Sequence, residues 1–478
     1  MTRADGFDAV VVGSGPNGLV GALALADSGR RVLLVEAADR VGGALRSEKL
    51  TLPGFVHDVG ASVLPLALAS PAFAALRLTD EEVTWTHPSL PAAHPLPPEA
   101  GGGAVLVHRD VDTTAAALGV DAGRWRAIVG ATADAGAPLR NALLAPLDPR
   151  AAARSAGPLL RYGVTGALPA AALARIFRTE PARAVFGGMA AHSMLSFREP
   201  SSGGYGTFLA ALAHAVGWPL VRGGTERLAE ALAARLLAAG GEIRTGLPVT
   251  DLGQLPSAPI VLCDLTPRQF LAVAGDRLPP SYSHRLGRFR YGSGVFKVDY
   301  ALDAPVPWSD PRVGDAGTVH VGGTFAEVAA AEREVTRGRH PDRPFVLVVQ
   351  PTAADPSRAP AGKHVLWAYC HVPNGSTLDQ TTRIEAQLER FAPGFRDRVL
   401  ARHVHTPASL ERWDANLVGG DIGAGRADLR QFVARPVLSR APWRTPLPGV
   451  YLCSASTPPG GGVHGMGGWQ AARLAIGG

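Results

Sequence analysis

The hydrophobic and polar positions near the start of the chain predict a strand, a helix and a second strand. A β-branched run at 10–12 stops at Gly13, and leucines at mixed three- and four-residue spacing follow it. Gly29 ends this helical stretch, and a second apolar run at 32–35 leads directly to Glu36. The order of strand, glycine turn, helix, strand and acid is typical of a dinucleotide-binding βαβ unit.

The rest of the chain mixes helical and strand patterns. The stretch 111–197 is predicted to be mainly helical, and the Pro-rich stretch 88–98 is predicted to be a crossing into a second domain. Helices are also predicted over 159–177, over 207–239 with a break at 221–225, around 377–391 and around 394–402. A pair of strands is predicted at 50–52 and 55–58, and an antiparallel sheet is predicted over 292–301, 317–322, 345–350 and 364–371. Single strands are predicted at 259–263 and 450–453, and the second of these leads to a helix that starts near His464.

Composition indicates a folded chain of more than one domain. The chain has 478 residues, of which 46% are hydrophobic and 18% are charged, so it is long enough for two domains with ample core. The formal net charge is +6, but the positive residues are scattered, which favours a solvated surface over a nucleic-acid-binding face. An attraction to an anionic membrane surface stays open.

Cysteine usage and the apolar runs narrow the expected compartment. Cys263, Cys370 and Cys453 are isolated, so neither a zinc site nor a redox-active dithiol is predicted, and no metal is expected. The first strand begins within a few residues of the N-terminus, which leaves no room for a signal peptide. Because no apolar run approaches the length of a membrane-spanning helix, the expected location is cytoplasmic, with peripheral membrane contact left open.

The residues of the glycine turn have distinct physical roles. Gly13 allows the tight turn, Gly15 lets the backbone approach a pyrophosphate, and Gly18 lets the helix pack on the strand. The N-terminus of the helix offers unpaired N–H groups and a partial positive charge to the phosphates. Glu36 can accept both ribose hydroxyls and would repel a 2′-phosphate, so the nucleotide is not expected to be NADP. The pattern by itself does not separate NAD from FAD.

The residues after Glu36 help to choose between NAD and FAD. Arg40, Gly42, Gly43 and Arg46 form the pattern E-x-x-x-R-x-G-G-x-x-R-S, which resembles the FAD-dependent amine oxidases and phytoene desaturases. The motif GSGPNGL and the stretch 54–64 (GFVHDVGASVL) are similar to the phytoene desaturase-related branch, which includes pyridine nucleotide-disulfide oxidoreductase domain-containing proteins. The C-terminal stretch 449–476 resembles the segment of these proteins that lies against the flavin. The resemblance therefore implies FAD as the cofactor.

The resemblance also implies a fold and a set of cofactor contacts. The fold class is α/β, with a discontinuous Rossmann-type FAD-binding domain over 1–75, 215–290 and 433–478. A mixed α+β substrate domain is expected to take 76–214, mainly helical, and 291–432, with an antiparallel sheet and helices. The FAD-contacting residues implied are Gly13, Gly15, Pro16, Asn17, Gly18, Glu36, Ala37, Arg40, Gly43, Ala44, Arg46, Ser62, Val249, Ser454, Gly462, Val463 and His464.

Few residues are candidates for proton transfer. In this family a hydride goes to flavin N5, so the protein must orient the substrate, and a base would help a desaturation. His464 in the flavin loop and His192 in GGMAAHSMLSF are the catalytic candidates, each weighed against a structural role. Weaker candidates are His57 and Asp58 as bases, Arg222 and Tyr369 as pocket residues, and Cys453 as a covalent flavin tether, which is less favoured than a buried strand cysteine.

Several functions stay open at this level. The resemblance implies dehydrogenation, desaturation or isomerisation of an apolar, isoprenoid or polyene small molecule, with oxygen or a quinone as electron acceptor. An amine or amino-acid oxidase is the nearest rival, and Trp413, Trp443 and Trp469 are candidate members of its aromatic cage. Two further hypotheses are a flavin-binding scaffold without turnover and a redox-neutral isomerase that needs reduced FAD.

Overall fold

The computed structural model describes residues 6–144 and 156–477. The strands are β1 Ala9–Val12, β2 Val32–Val35, β3 Ser47–Glu48, β4 His57–Asp58, β5 Trp85–Thr86, β6 Leu90–Pro95, β7 Ala104–Val107, β8 Leu220–Val221, β9 Glu242–Arg244, β10 Ile260–Cys263, β11 Gly294–Leu302, β12 Ala316–Val321, β13 Val346–Val349, β14 His364–Val372, β15 Val399–His405 and β16 Val450–Leu452. The helices are α1 Pro16–Asp27, α2 Pro65–Ala69, α3 Pro71–Leu76, α4 Val111–Ala117, α5 Ala122–Trp125, α6 Ala131–Asp134, α7 Gly136–Leu144, α8 Ala156–Gly166, α9 Ala170–Leu173, α10 Glu180–Ala191, α11 Ser202–Ala215, α12 Glu226–Ala238, α13 Pro267–Ala274, α14 Pro280–Gly287, α15 Phe325–Thr336, α16 Thr381–Phe391, α17 Pro407–Trp413, α18 Leu429–Ala434 and α19 Met466–Gly477.

A parallel five-stranded sheet forms the nucleotide-binding part of the fold. Its strand order is β16-β10-β1-β2-β9, so strands from three distant parts of the chain meet in one layer. Val10 of β1 pairs with Val261 on one side and Leu33 on the other. Helices α1, α12 and α19 contribute to one buried apolar cluster with this sheet. This arrangement confirms a Rossmann-like α/β fold built from separated segments, whereas the exact domain boundaries stay a prediction.

Helices α1 and α19 contact each other closely because glycines stand at their crossing. A Cβ atom on Gly468 would lie 1.7 Å from the carbonyl oxygen of Asn17, and one on Gly21 would lie 3.2 Å from the backbone of Gly468. Asn17 also accepts the Gly467 N–H through Oδ1 at 3.1 Å. The C-terminal segment is therefore held against the glycine turn, as the resemblance implies.

A seven-stranded mixed sheet forms the second part of the fold. Its order is β15-β11-β14-β13-β12-β6-β7, and its pairs are antiparallel except for β12 with β6. One face packs in an apolar cluster with residues of α16, including Ile384 and Leu388. The other face packs in a cluster with residues of α10 and α11, including Phe186 and Ala210. A buried layer of side chains therefore lies between this second face and the helices.

The structure confirms much of the predicted order and corrects four parts of it. The antiparallel strands are confirmed as β11 to β14. The helix predicted at 394–402 is wrong, because a short 3-10 turn at Arg396–Arg398 leads into β15, which pairs with β11. The Pro-rich stretch 88–98 contains β6, with prolines only at its second and last positions, so the region 76–214 contributes strands as well as helices.

The other two corrections concern shorter elements. The predicted strand pair at 50–52 and 55–58 is formed instead by β3 and β4, where Ser47 pairs with Asp58. The predicted helix over 159–177 is divided into α8, α9 and a 3-10 turn at Ala174–Ile176. Positions 145–155 of the helical stretch predicted at 111–197 lie outside the described residues. Within residues 6–144 and 156–477, no helix is both long enough and apolar enough to cross a membrane.

Candidate functional site: the glycine turn and the layer beneath the second sheet

The glycine turn has the geometry that its spacing predicts. Gly13 has φ of +96°, a conformation that side chains disfavour. A Cβ atom on Gly18 would lie only 2.1 Å from the Gly13 carbonyl oxygen, so α1 could not approach β1 with any larger residue there. Gly15 precedes α1 and Pro16 begins it, so no side chain caps the helix. Within the first turn of α1 the Asn17 N–H is therefore open to a ligand, whereas the Gly18 N–H already donates to Asp264.

Unpaired backbone N–H groups converge beside this turn. Among the described residues, the N–H groups of Gly15, Asn17, Gly43 and Ala44 have no hydrogen-bond acceptor. The two pairs are close together, because a Cβ atom on Gly43 would lie 2.9 Å from the Gly15 Cα. Buried or half-buried N–H groups of this kind need an acceptor, and a helix N-terminus favours an anion. This cradle fits a pyrophosphate.

Glu36 stands at the carboxyl end of β2, as predicted for the ribose contact. Its Oε2 accepts the Ser14 N–H at 2.8 Å and the Ser14 hydroxyl at 2.6 Å, and its Oε1 accepts the Ala38 N–H at 2.8 Å. The Leu247 N–H donates to the Glu36 carbonyl oxygen, which brings the segment of Val249 alongside. Fixed donors on both carboxylate oxygens therefore hold this side chain rigidly.

The two predicted arginines have different surroundings. Arg40 forms ion pairs with Glu226 at 2.7 Å and Glu48 at 3.0 Å, so nearby carboxylates neutralise its charge. Arg46 donates from Nη2 to the Trp413 carbonyl oxygen at 2.7 Å, and its guanidinium lies 4.1 Å from the Trp413 ring centroid. Arg46 is the buried cation next to the glycine turn, whereas Arg40 is half-exposed at its edge.

Asp264 is a site residue that no sequence motif indicated. Its Oδ2 accepts the Gly18 N–H at 2.9 Å, and a Cβ atom on Gly15 would lie 2.7 Å from the same oxygen. Burial, together with the carboxylates of Asp414 and Glu36, raises the pKa of Asp264 to about 7, although the Gly18 N–H opposes this shift. The available signal was its position directly after β10, at the carboxyl edge of a parallel sheet.

The C-terminal loop offers a second set of free backbone donors. Among the described residues, the N–H groups of Gly461, Gly462 and Val463 have no hydrogen-bond acceptor. Ser454 donates its hydroxyl to the Leu265 carbonyl oxygen at 2.8 Å, which ties this loop to the end of β10. A bare backbone loop next to α19 fits the polar edge of a flavin ring, and the individual flavin contacts stay a prediction.

Arg435, which no motif indicated either, holds the loop from the other side. The buried guanidinium donates from Nη2 to the Ala424 carbonyl oxygen at 3.2 Å and from Nε to the Ser456 carbonyl oxygen at 3.4 Å. A Cβ atom on Gly460 would lie 2.5 Å from its Nη1. A lone arginine carries no local signal of such a role, because only the fold brings 421–435 against this loop.

His464 has the geometry of a structural histidine. Its Nδ1 accepts the Met466 N–H at 3.1 Å, so the proton of the neutral ring is on Nε2, which donates to the Gly460 carbonyl oxygen at 3.0 Å. Burial lowers the pKa of His464 to about 4. Because both ring nitrogens are occupied, this geometry favours a structural role over a catalytic one.

A group of polar side chains crosses the second sheet in register. Tyr369 lies between Leu347 and Lys297, and Lys297 pairs with His405 on β15. His320 pairs with Leu347 and lies beside His94, with 6.4 Å between their ring centroids. We call this set the polar row, and its members are His94, His320, Tyr369, Lys297 and His405.

His192 joins the polar row from α10. Its Nε2 lies 2.9 Å from the Nε2 of His320, so one ring donates and the other accepts. Burial lowers the pKa of His192 to about 3 and that of His94 to about 4, and burial with the neighbouring rings holds the pKa of His320 well below its ordinary value. These histidines are therefore neutral hydrogen-bonding groups at neutral pH and weak bases.

A buried lysine lies where the polar row approaches the nucleotide part. Lys297 donates to both carboxylate oxygens of Asp299, at 2.6 and 2.7 Å, and to the Asp58 carbonyl oxygen at 2.9 Å. Burial and the cations Lys297 and Arg358 lower the pKa of His57 to about 3. His57 is therefore uncharged and, like His192, a weak base.

The Asp58 carboxylate lies in the same buried cluster and is saturated with partners. It accepts hydrogen bonds from the hydroxyls of Ser62 and Ser47 and from Thr225, and it pairs with Arg358 at 2.9 Å. The hydroxyl of Ser62, one of the predicted cofactor residues, is thus used by Asp58. This arrangement favours a structural role for Asp58 over that of a base.

The three candidate tryptophans do not gather at one site. Trp443 and Trp469 pack in the apolar cluster of the nucleotide part, and Trp413 stacks on Arg46. Within the described ranges, no group of three or more His, Cys, Asp or Glu side chains could hold a metal ion.

Two weaker candidates also lie away from any reacting centre. Cys453 is buried beside Cys263, and burial keeps the pKa of its thiol well above the ordinary value, which disfavours a thiolate tether. Arg222 is exposed next to β8. Of the pocket candidates, only Tyr369 lies in the layer beneath the second sheet.

Comparison with known proteins agrees with this architecture. A family model described as an NAD(P)-binding Rossmann-like domain matches residues 11–76. Phytoene dehydrogenase of Streptomyces griseus is 28% identical over 433 residues, which cover 82% of this chain and 77% of that protein. Pyridine nucleotide-disulfide oxidoreductase domain-containing protein 2 of Rattus norvegicus is 29% identical over 295 residues, which cover 54% of this chain. The match spans 51% of that relative's own length.

Solved structures share the fold over nearly the whole chain. A variant of putrescine oxidase superposes with a TM-score of 0.64 at 19% identity and covers 98% of both chains. An oxidoreductase from Methanosarcina mazei superposes with a TM-score of 0.65 at 16% identity, covering 98% of this chain and 100% of that one. At these identities the likeness concerns the fold alone.

Proposed function

We propose that this chain is a FAD-dependent, amine oxidase-like flavoprotein related to phytoene dehydrogenase, and that it dehydrogenates, desaturates or isomerises an apolar small molecule. When bound, FAD supplies the hydride acceptor of such a reaction. The glycine-turn cradle and the free N–H groups of the C-terminal loop would hold the cofactor. The layer between the second sheet and α10 would hold the substrate.

The observation that carries this proposal is the uncharged character of the layer beneath the second sheet. Its histidines are neutral because burial depresses their pKa values. The charged side chains there have partners, Lys297 with Asp299 and Glu332 with His371 at 2.8 Å. A face of this kind favours a ligand without charge, because burying an unpaired ion would cost free energy. Apolar side chains of the same cluster include Val295, Leu347 and Phe345.

The residues of this face would act by orientation and by excluding water. His192 and His320 lie in a hydrogen-bonded pair, which holds both neutral rings in fixed orientations. A pKa near 3 for His192 makes it unsuited to strong-base catalysis. We therefore assign the main catalytic contribution to holding the reacting C–H bond against the flavin in a dry layer.

The test is anaerobic reduction of the purified holoprotein, followed by flavin absorbance. Long-chain polyenes, cyclic isoprenoids and saturated apolar controls would be compared with primary amines and amino acids. Bleaching by an apolar substrate, with a new carbon–carbon double bond in the product, supports the proposal. Turnover of the apolar substrate that requires dithionite, but consumes none of it, indicates the isomerase form. A flavin that no compound reduces would favour a scaffold without turnover.

Amine oxidation is the second candidate, and one specific observation favours it. Trp367 and Tyr369 stack with their ring centroids 5.6 Å apart and their planes 13° apart, and Lys297 lies 5.3 Å from the Trp367 ring centroid. An aromatic pair next to a lysine could orient a neutral amine. Ammonia and hydrogen peroxide released in equal amounts from an amine would establish this candidate instead.

Oxygen or a quinone is the proposed electron acceptor, and a membrane would be the source of a quinone. Exposed apolar side chains on and after α18 support peripheral contact, because Leu438 is 78% exposed and Val433 is 62% exposed. The exposed arginines Arg430 and Arg440 beside them would favour an anionic surface. Sedimentation with vesicles of anionic phospholipid, compared with neutral vesicles, tests this contact, and equal recovery in both supernatants would refute it.

A further inference from the structure

Three carboxylates surround the glycine turn from three different elements. Glu36 follows β2, Asp264 follows β10, and Asp414 follows α17, with its Oδ2 3.7 Å from the position of a Cβ on Gly43. Asp264 is 6% exposed and accepts the Gly18 N–H within the turn itself. The pyrophosphate of a dinucleotide bound at this turn brings further negative charge. These carboxylates therefore oppose the charge of the ligand, whereas Arg46 and the N-terminus of α1 favour it.

The other two carboxylates have partners that Asp264 lacks. Glu36 accepts three donors from Ser14 and Ala38, which use both of its oxygens. Asp414 accepts the Asn416 N–H at 3.0 Å and lies near the cation Arg46. Burial raises the pKa of Asp414, and these two neighbours oppose that shift. A proton on Glu36 would displace a donor from one of its oxygens, and a proton on Asp414 would remove its attraction to Arg46.

Asp264 can lose its negative charge and still accept the Gly18 N–H. It accepts a single N–H, from Gly18, and a neutral carboxyl group can also accept such a donor through its carbonyl oxygen. Protonation at the other oxygen would therefore leave the glycine turn intact. The same step would remove one negative charge from beside the ligand.

From this geometry we propose that Asp264 binds a proton when the dinucleotide binds, so that cofactor affinity falls as pH rises. The proposal rests on FAD being the ligand of the glycine turn. None of the groups that face Asp264 supplies a cation to stabilise its ionised form. These groups are the Gly18 N–H from α1, Glu36 from the end of β2, Asp414 from the segment after α17, and the neutral thiols of Cys263 and Cys453.

The coupling between proton binding by Asp264 and FAD binding gives the size of the pH effect on affinity. The pKa of Asp264 in the chain without ligand is raised to about 7, so its proton is largely absent at pH 8.5 and largely present at pH 6. If only the protonated form binds FAD, the dissociation constant increases about tenfold per pH unit above this pKa. The expected increase between pH 6 and pH 8.5 is about 30-fold.

The experiment measures FAD release from the holoprotein on dilution, by recovery of flavin fluorescence, from pH 6 to pH 8.5. The wild-type dissociation constant should increase with pH as stated. Asp264→Asn should bind at every pH with the affinity that the wild type has at pH 6, because its side chain is permanently neutral.

Asp414→Asn is the matched comparison, because it removes a neighbouring carboxylate and keeps Asp264. Removal of this like charge lowers the pKa of Asp264. The variant should therefore keep the pH slope of the wild type, with the midpoint of the transition moved to lower pH.

A second readout uses the wild type alone. Calorimetric titration with FAD at pH 8, in two buffers of different ionisation enthalpy, should give an uptake of about 0.9 proton per FAD bound. An affinity independent of pH, an uptake near zero, or an Asp264→Asn variant that keeps the pH slope would each overturn the proposal while leaving the flavoprotein assignment intact. A wild type that binds no FAD at any pH would overturn both.

Discussion

Replacing Arg358 by methionine removes one partner of a buried ion pair and tests the buried cluster around Asp58. Arg358 has no exposed surface, and its Nη2 lies 2.9 Å from Oδ2 of Asp58, which is also fully buried. Its Nε donates to the Val56 carbonyl oxygen at 3.2 Å. Methionine keeps much of the volume but leaves the Asp58 carboxylate without its nearest cation.

The expected loss of unfolding free energy depends on the hydrogen bonds that Asp58 keeps in the variant. Removing one member of a buried ion pair costs about 3–5 kcal/mol, because the other charge stays buried. Asp58 still accepts hydrogen bonds from Ser47 at 2.7 Å and from the Thr225 N–H at 3.0 Å, so we expect the lower end, about 3 kcal/mol. The assay is urea unfolding of the FAD-saturated protein, followed by tryptophan fluorescence.

The stability difference between wild type and Arg358→Met should depend on pH. Burial alone would raise the pKa of Asp58, but Arg358 and the donors Ser62, Thr225 and Ser47 outweigh burial and hold it below the ordinary value. The stability that Asp58 contributes is therefore present above its unfolded pKa and lost as pH falls through its folded pKa. Without Arg358 the carboxyl group protonates more readily, so the difference between wild type and Arg358→Met should shrink as the solution is acidified.

Two further variants test whether Arg358 is the counter-ion of Asp58. Asp58→Asn combined with Arg358→Met removes both charges and should recover most of the lost stability. Arg227→Met removes the exposed pair with Glu230 and should leave the unfolding midpoint unchanged. A loss for Arg358→Met that is below about 1 kcal/mol, or that does not depend on pH, would show that Arg358 acts as packing and not as the counter-ion.

Two other predictions concern the glycine crossing and the neutral histidines. Gly468→Ala should lower both FAD content and stability against urea, by about 2–3 kcal/mol, because the added Cβ meets the Asn17 carbonyl oxygen, whereas Gly477→Ala, with open space around it, should do neither. Burial lowers the pKa of His192 from 6.5 to about 3, so stability is lost as pH falls from 6.5 towards 3. His192→Gln should reduce the loss between pH 6.5 and pH 5 by up to about 2 kcal/mol, measured by urea unfolding, and an unchanged loss would contradict a neutral buried ring.

The local pattern is sufficient for elements whose cause is local. The β-branched run, the glycine spacing and Glu36 predict β1, α1 and β2, because each element depends on residues next to each other in sequence. The pattern fails where distant pairing decides. Residues 399–405 carry enough polar side chains to suggest a helix, but β11 offers a free edge, and β15 pairs with it there.

The same distinction holds within the candidate site. Short motifs specify the dinucleotide turn, the acid at the end of β2 and the flavoprotein resemblance at both ends of the chain, because each depends on neighbouring residues. Only folding brings Asp264 to Gly18, which is 246 positions away, and His192 to His320, which is 128 positions away. Their burial and their neighbours set the pKa values of these groups, and neither property belongs to a residue before the chain has folded.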